Sequence, residues 1–213
     1  DNYSKFDLIT NYGLFCGSTN LYKTLKIFEL VNSIKKIKGD IIEFGTYRGN
    51  TGILIAKILK LQNIKKKVYL FDSFEGLTDF DNNDKLINNK FKNMYKGNLV
   101  KIKKLINFFK LDNIKIIKMN ALNIPDGFFR NNIYSLIILD MDLYKPTIKI
   151  LNNLSIKKNL SKSSKIVFDE GNDNLWKGEK KALNEFLKKN NKYFLKKIIS
   201  RSPYQPDVVL TKK

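Results

Sequence analysis

Hydrophobic runs in this chain end repeatedly on acids. Glu43 closes Asp40-Ile41-Ile42-Glu43-Phe44-Gly45, and Asp72 closes Val68-Tyr69-Leu70-Phe71-Asp72. Asp140 closes Leu136-Ile137-Ile138-Leu139-Asp140, and Asp169 with Glu170 closes Lys165-Ile166-Val167-Phe168-Asp169-Glu170. In an open parallel α/β sheet, ligands bind outside the carboxyl ends of the strands, so these acids are expected to converge on one crevice. Carboxylates from adjacent strand ends repel one another unless protonated or bound to a cation, and hard oxygen donors select magnesium, calcium or manganese. Asp140, Asp169 and Glu170 are the expected magnesium ligands, with Asp142 oriented nearby.

The turn after the first acidic strand carries a second signal. In Glu43-Phe44-Gly45-Thr46-Tyr47-Arg48-Gly49-Asn50-Thr51-Gly52, Gly45 and Gly49 let the backbone turn sharply and approach a ligand at a helix N-terminus. The spacing is Gly-x-x-x-Gly, not the Gly-x-Gly-x-x-Gly of pyrophosphate binding. Glu43 suits a cationic ligand, such as the sulfonium or amino group of S-adenosylmethionine. Asp72 stands where doubly wound folds place the acid that accepts ribose hydroxyls, a device nicotinamide enzymes share. Asn120-Ala121, after the third strand, falls where adenine would be held. The expected cofactor contacts are therefore Glu43, Gly45, Thr46, Tyr47, Arg48, Gly49, Asp72, Ser73, Asn120, Ala121 and Asp140.

The chain contains no histidine, which removes Ser-His-Asp triads, histidine bases and histidine metal sites together. Methyl transfer to a hydroxyl needs none. A divalent ion lowers the pKa of the accepting hydroxyl, a carboxylate takes the proton, and positioning of the two reactants supplies the rest. Asp140 is the first candidate for proton acceptor, followed by Asp142 and Lys145.

The elements that would hold these residues read as an alternating series. Strands are expected over 41–44, 67–72, 114–119, 134–140 and 164–169, and helices over 51–61, 98–110, 146–158 and 178–190, with a long Asp/Asn-rich loop over 74–97. Such alternation gives a parallel sheet with helices on both faces. Two last strand-like runs, 193–199 and 207–211, leave no room for a crossover helix and must form an antiparallel hairpin. Leu21, Leu25, Phe28, Val31 and Ile34 recur at helical spacing and predict an amphipathic helix that packs on the sheet. Before it, Asn11-Tyr12-Gly13 and Cys16-Gly17-Ser18-Thr19 form a polar segment suited to covering a site. One domain is expected, with an N-terminal helical segment over 1–38 and the sheet domain over 39–213.

With 213 residues, 43% of them hydrophobic, the chain can bury one substantial core. No run of about 18 apolar residues offers a membrane span, and no leader is evident after the first residue, Asp1. Cys16 is the single cysteine, so a disulfide framework is excluded and a reduced, cytoplasmic protein is expected. The formal net charge is +20, yet of 40 basic residues only Arg48, Arg130 and Arg201 are arginine. Phosphate and base readers favour the planar arginine fork. The lysines therefore read as a solvated basic surface, with attraction to anionic substrates such as nucleotide-linked sugars next in order.

Taken together, Gly39-Asp40-Ile41-Ile42-Glu43-Phe44-Gly45-Thr46-Tyr47-Arg48-Gly49, Phe71-Asp72-Ser73-Phe74-Glu75-Gly76-Leu77, Leu139-Asp140-Met141-Asp142-Leu143-Tyr144 and Phe168-Asp169-Glu170, followed by Trp176, Gly178, Ala182 and Glu185-Phe186, resemble the successive motifs of macrocin and mycinamicin sugar O-methyltransferases. The resemblance runs from about residue 39 to 187. It implies a class I methyltransferase, a Rossmann-like doubly wound seven-stranded sheet, mostly parallel with a C-terminal antiparallel hairpin. It also implies magnesium-dependent methylation of a sugar hydroxyl, the metal held by Asp140, Asp169 and Glu170. The segment before Gly39 and the 74–97 loop would shape the acceptor pocket. Two departures stand out: Asp169-Glu170 replaces the family's Asp-Asp pair, and Asn120-Ala121-Leu122 replaces its Gly-Trp-Phe motif. A nucleotide-activated or surface-polysaccharide sugar is the expected acceptor, and the subunit count is left open. The rival readings are an RNA methyltransferase using the basic surface and a nicotinamide-dependent sugar oxidoreductase.

Overall fold

A computed structural model describes residues 21–85, 88–200 and 205–213. The polar segment at 11–19 lies outside them. Helix α1 (Leu21–Ile34) leads into β1 (Asp40–Phe44), α2 (Asn50–Leu61) and β2 (Val68–Asp72). The loop after β2 contains a 3-10 turn (Asn82–Asp84) and the short α3 (Asn88–Phe91), followed by α4 (Leu99–Phe108) and β3 (Ile114–Lys118). A second 3-10 turn (Ala121–Asn123) precedes β4 (Tyr134–Leu139), α5 (Tyr144–Asn153), α6 (Ile156–Asn159) and β5 (Leu160–Phe168). Helix α7 (Lys177–Asn190) and the hairpin strands β6 (Phe194–Ile198) and β7 (Val208–Lys212) complete the chain.

The seven strands lie in the order β3-β2-β1-β4-β5-β7-β6. The first five pair in parallel and β7 runs antiparallel between β5 and β6, as expected for a doubly wound sheet ending in a hairpin. Side chains alternate across the sheet because the strand period is two. Ile41, Leu70, Leu136, Ile138 and Val167 face one apolar layer, completed by Ile27, Val31 and Ile34 of α1 and Ile55 and Leu59 of α2. Ile42, Phe44, Ile137, Leu139, Ile166 and Phe168 face the other, with Ile150 of α5 and Leu183 and Phe186 of α7. The central strands are buried on both faces, which is why they read as continuous apolar runs. No helix of the described residues is long and apolar enough to cross a membrane.

Three local expectations are corrected. The buried stripe of α1 is Ile27, Leu30, Val31 and Ile34, whereas Leu21, Leu25 and Phe28 are 62%, 53% and 45% exposed. The sheet therefore selects a face turned away from the Leu-Leu-Phe spacing, and Lys23, one turn before Ile27, lies on it. The helix expected over 146–158 breaks at Leu154 and Ser155, both extended. There the Asn159 side chain accepts from Ser155 N–H at 2.9 Å and donates to the carbonyls of Phe129 and Asn132. The chain then enters β5 four residues earlier than the spacing suggested. The loop over 74–97 also has its own small core, Leu77, Phe80 and Phe91 against Leu143 and Trp176.

This loop is tied down by Asp84, whose carboxyl accepts from Asp81 N–H at 3.1 Å and from Tyr144 N–H at 3.2 Å. Burial outweighs those bonds and raises its pKa from 3.8 to about 6. Because the folded value lies above the unfolded one, this carboxyl's stabilisation is complete below the unfolded value and is lost as pH rises through the folded one. Asp84→Asn is expected to narrow the fall in Tm between about pH 4 and pH 7 in thermal unfolding. An unchanged pH slope would contradict this.

Candidate active site

The carboxyl ends of β1, β2, β4 and β5 open into a cleft of about 330 Å³. Gly45, at φ +88°, lies so close to β4 that a Cβ would sit 1.7 Å from the Asp140 carbonyl oxygen. Only glycine lets the turn after β1 cross there, which brings Thr46 and Tyr47 over the strand ends. Asp72 then fixes that turn: Tyr47 N–H donates to its Oδ2 at 2.8 Å and Phe74 N–H to its Oδ1 at 2.6 Å. Glu43 is buried beneath and accepts from Thr46 Oγ1 at 3.3 Å. Burial, reinforced by Asp140, pushes its pKa well above the usual carboxylate range, with Lys23 opposing. Asn120 caps the 3-10 turn by accepting from Leu122 N–H at 2.7 Å and donates to Asp79 at 2.9 Å. Its neighbour Ala121 lines the same end of the cleft.

Two expected residues are placed elsewhere. Gly49, at φ +80°, turns the chain into α2 with its open side toward Ile102 of α4, 3.2 Å from where a Cβ would be. It shapes the loop without lining the cleft. Lys145 is exposed in the first turn of α5 and does not line the cleft either, because α5 turns that position to solvent. Glu43, Gly45, Thr46, Tyr47, Arg48, Asp72, Ser73, Asn120, Ala121, Asp140, Asp142, Asp169 and Glu170 all do line it.

The acidic wall differs by one residue from the expected set. One carboxylate oxygen from each of Asp140, Asp142 and Glu170 lies within 4.8 Å of the others, an arrangement that could hold a metal ion. Asp169 is instead engaged by Lys23 of α1, whose Nζ lies 2.5 Å from Asp169 Oδ2 and 3.1 Å from Asp140 Oδ2. Burial alone would lower the Lys23 pKa, but Asp140, Asp169 and Glu170 raise it well above the usual lysine value. The carboxyls respond to burial in the opposite direction. Asp142 and Glu170 are pushed well above the usual range, and Asp169 to about 7. Buried Asp169 Oδ1 and Glu170 Oε2 have no hydrogen-bond partner among the described residues. Hard, buried, partly unpartnered oxygens of this kind fit a magnesium-type ion.

Three residues of the site escape sequence reasoning. Glu179, fully buried in the first turn of α7, accepts from the backbone N–H of Met141 at 3.3 Å and Asp142 at 3.2 Å through Oε2, and of Glu170 at 3.0 Å through Oε1. One carboxylate thus holds both acidic strand ends. Its only signal in sequence is being the single acid in that helix's first turn. Gln205 donates to Glu170 Oε1. Lys23 is one lysine among many. On the opposite wall, Tyr95 joins Tyr47 edge-on at 5.5 Å and faces Trp176 at 6.4 Å.

The sheet order, with its antiparallel hairpin and a cleft at the carboxyl edge, is that of a Rossmann-like methyltransferase fold, and a family match places the chain among S-adenosylmethionine-dependent methyltransferases. The sequence profile of macrocin O-methyltransferase (TylF) matches residues 14–199, and the chain belongs to that family. The solved structure of CalS11, a calicheamicin methyltransferase, superposes at a TM-score of 0.80 with 19% identity, over 99% of this chain and 86% of that one. Its apo form, described as a TDP-rhamnose 3'-O-methyltransferase, gives 0.72 at 18%, over 99% and 88%. The O-methyltransferase NovP gives 0.70 at 20%, over 91% and 80%. No curated protein matches the chain.

Glu179→Gln replaces an acceptor of three backbone N–H groups with one that offers a single oxygen. Thermal or urea unfolding is expected to show a loss of about 1–3 kcal/mol. A variant as stable as the wild type would mean that Glu179 does not hold the strand ends.

Proposed function

We propose that this chain transfers a methyl group from S-adenosylmethionine to a sugar hydroxyl, with a nucleotide-linked or surface-polysaccharide sugar as acceptor and a divalent ion, magnesium, at Asp140, Asp142 and Glu170. The observation that carries the reading is the meeting of these three carboxylates in the same cleft as Asp72 and the Gly45 turn. The family supports the sugar hydroxyl, and the nucleotide-linked acceptor draws on CalS11, described as acting on TDP-rhamnose.

When bound, the cofactor supplies a methyl group on a sulfonium centre, and the metal ion lowers the pKa of the accepting hydroxyl. The chain's own residues do the rest. Asp72 accepts the ribose hydroxyls with oxygens already aimed by two backbone N–H groups. Glu43 regains its charge beside a cationic ligand, which offsets the cost of its burial. Asn120 and Ala121 border the adenine end. Asp140, at the rim of the acid wall, takes the hydroxyl proton. Leu143 and Trp176, under the 74–97 loop, and Tyr95 of that loop close one side of the cleft and keep water from the reacting atoms. The basic exterior raises the local concentration of an anionic acceptor. We place the enzyme in the cytoplasm, where nucleotide-linked sugars are available.

Asp140→Asn is expected to lower kcat by about 10²-fold or more, while S-adenosylhomocysteine affinity by calorimetry stays within a small factor. Excess chelator should abolish turnover in the same way. A screen of nucleotide-sugars by mass spectrometry, read as a gain of one methylene unit, should identify the acceptor. Full turnover in excess chelator would remove the ion from the reaction, and absence of heat with S-adenosylhomocysteine would remove methyl transfer itself.

A further inference from the structure

The buried face of α1 does not end in apolar side chains. Ile27, Leu30, Val31 and Ile34 fill the sheet-facing stripe, and one turn earlier the same face carries Lys23 over the mouth of β4 and β5. The carboxylates it meets, Asp140 and Asp169, come from two different strand ends, 3.1 and 2.5 Å from one ammonium. In the same turns Leu21 and Leu25 are exposed, Lys23 lines the cleft, and the Tyr22 hydroxyl donates to the Ile199 carbonyl at 3.0 Å outside it.

Asp140 belongs to both arrangements. Its carboxylate is one of the three whose oxygens converge within 4.8 Å, and its Oδ2 is held by Lys23. A dication among Asp140, Asp142 and Glu170 would stand a few ångströms from a fixed ammonium, and like charges at that range in a buried setting repel strongly. The two cations share Asp140, and among the described residues Asp169 Oδ1 and Glu170 Oε2 have no hydrogen-bond partner.

We propose that Lys23 is a tethered counter-cation of the active site, competing with the divalent ion for Asp140 and Asp169, so that docking of the first turn of α1 and ion binding oppose each other. This rests on the ion site proposed above. Lys23 is a positioning residue: it holds the two acids in place when no dication does, and it sets how tightly a dication is taken. The coupling runs both ways, because whatever lowers ion affinity through α1 must be matched by a loosening of α1 on ion binding.

The test measures Mn²⁺ binding by calorimetry to the full chain saturated with S-adenosylhomocysteine, for the wild type, Lys23→Met and Lys23→Arg. Removing the charge is expected to tighten Mn²⁺ by about tenfold or more, while arginine keeps the wild-type affinity or weakens it. Wild-type binding with equal or weaker affinity in Lys23→Met would overturn the competition and leave the ion site standing. No binding by any of the three would overturn both. Should Lys23→Met fail to fold, hydrogen exchange on the wild type decides. Amides over 25–28, whose helical hydrogen bonds run to the carbonyls of the first turn of α1, are expected to lose protection when Mn²⁺ is added, and unchanged protection contradicts the proposal.

Discussion

The structure turns on a conflict of charge. Glu43, Asp142, Asp169, Glu170 and Glu179 are all buried to within 8% exposure, with Asp140 beside them, and burial raises the pKa of each of the five. Acids gathered this closely destabilise a fold unless something positive meets them. Among the described residues the chain answers in two ways: hydrogen-bond donors, from backbone N–H groups aimed at Asp72 and Glu179 and from the side chains of Thr46 and Gln205, and the ammonium of Lys23. Neither neutralises the whole cluster, and the remaining negative charge is what a sulfonium cofactor and a metal ion would satisfy. The energetic cost of gathering these acids and their chemical fitness for a cation are one property.

That property follows from the topology. Parallel strands place their last residues along one edge, and β1, β4 and β5 are neighbours, so acids distant in sequence become adjacent in space. Gly45 lets the turn after β1 pass against the Asp140 carbonyl, so that this turn and the acid wall share one cleft. Glu179 then couples the wall to α7 by holding the peptides of Met141, Asp142 and Glu170. Fold and site are therefore not separable: the helix that covers one face of the sheet also aims the acids.

The parallel strands and the convergence of their terminal acids were legible because both follow from apolar runs of strand length that end on a carboxylate and alternate with helices. Gly45 and Asp72 were legible for the same reason, a turn chemistry written in adjacent residues. What stayed hidden depends on facing. Lys23 and Glu179 matter through the side of the helix that the sheet selects, and in a lysine-rich chain neither carries a distinctive spacing. The Leu21, Leu25 and Phe28 series pointed to the wrong face of α1 because helical periodicity does not say which of two partly apolar stripes is buried. The helix after β4 was drawn too long because the bonds that stop it come from Asn159, a residue whose partners Phe129 and Asn132 lie far back in the sequence. The expectation of Asp169 beside Asp140 and Glu170 follows from adjacent strand ends and from the family resemblance, and neither shows that an ammonium from α1 meets Asp169 while an Asp142 oxygen lies near those of Asp140 and Glu170.

The most direct measurement is a crystal structure with S-adenosylhomocysteine and Mn²⁺, read through the manganese anomalous difference map. The account predicts one peak among Asp140, Asp142 and Glu170, with the nucleoside between Asp72 and Asn120. A nucleoside in that position with no peak at the acid wall, or a nucleoside bound elsewhere, would contradict it.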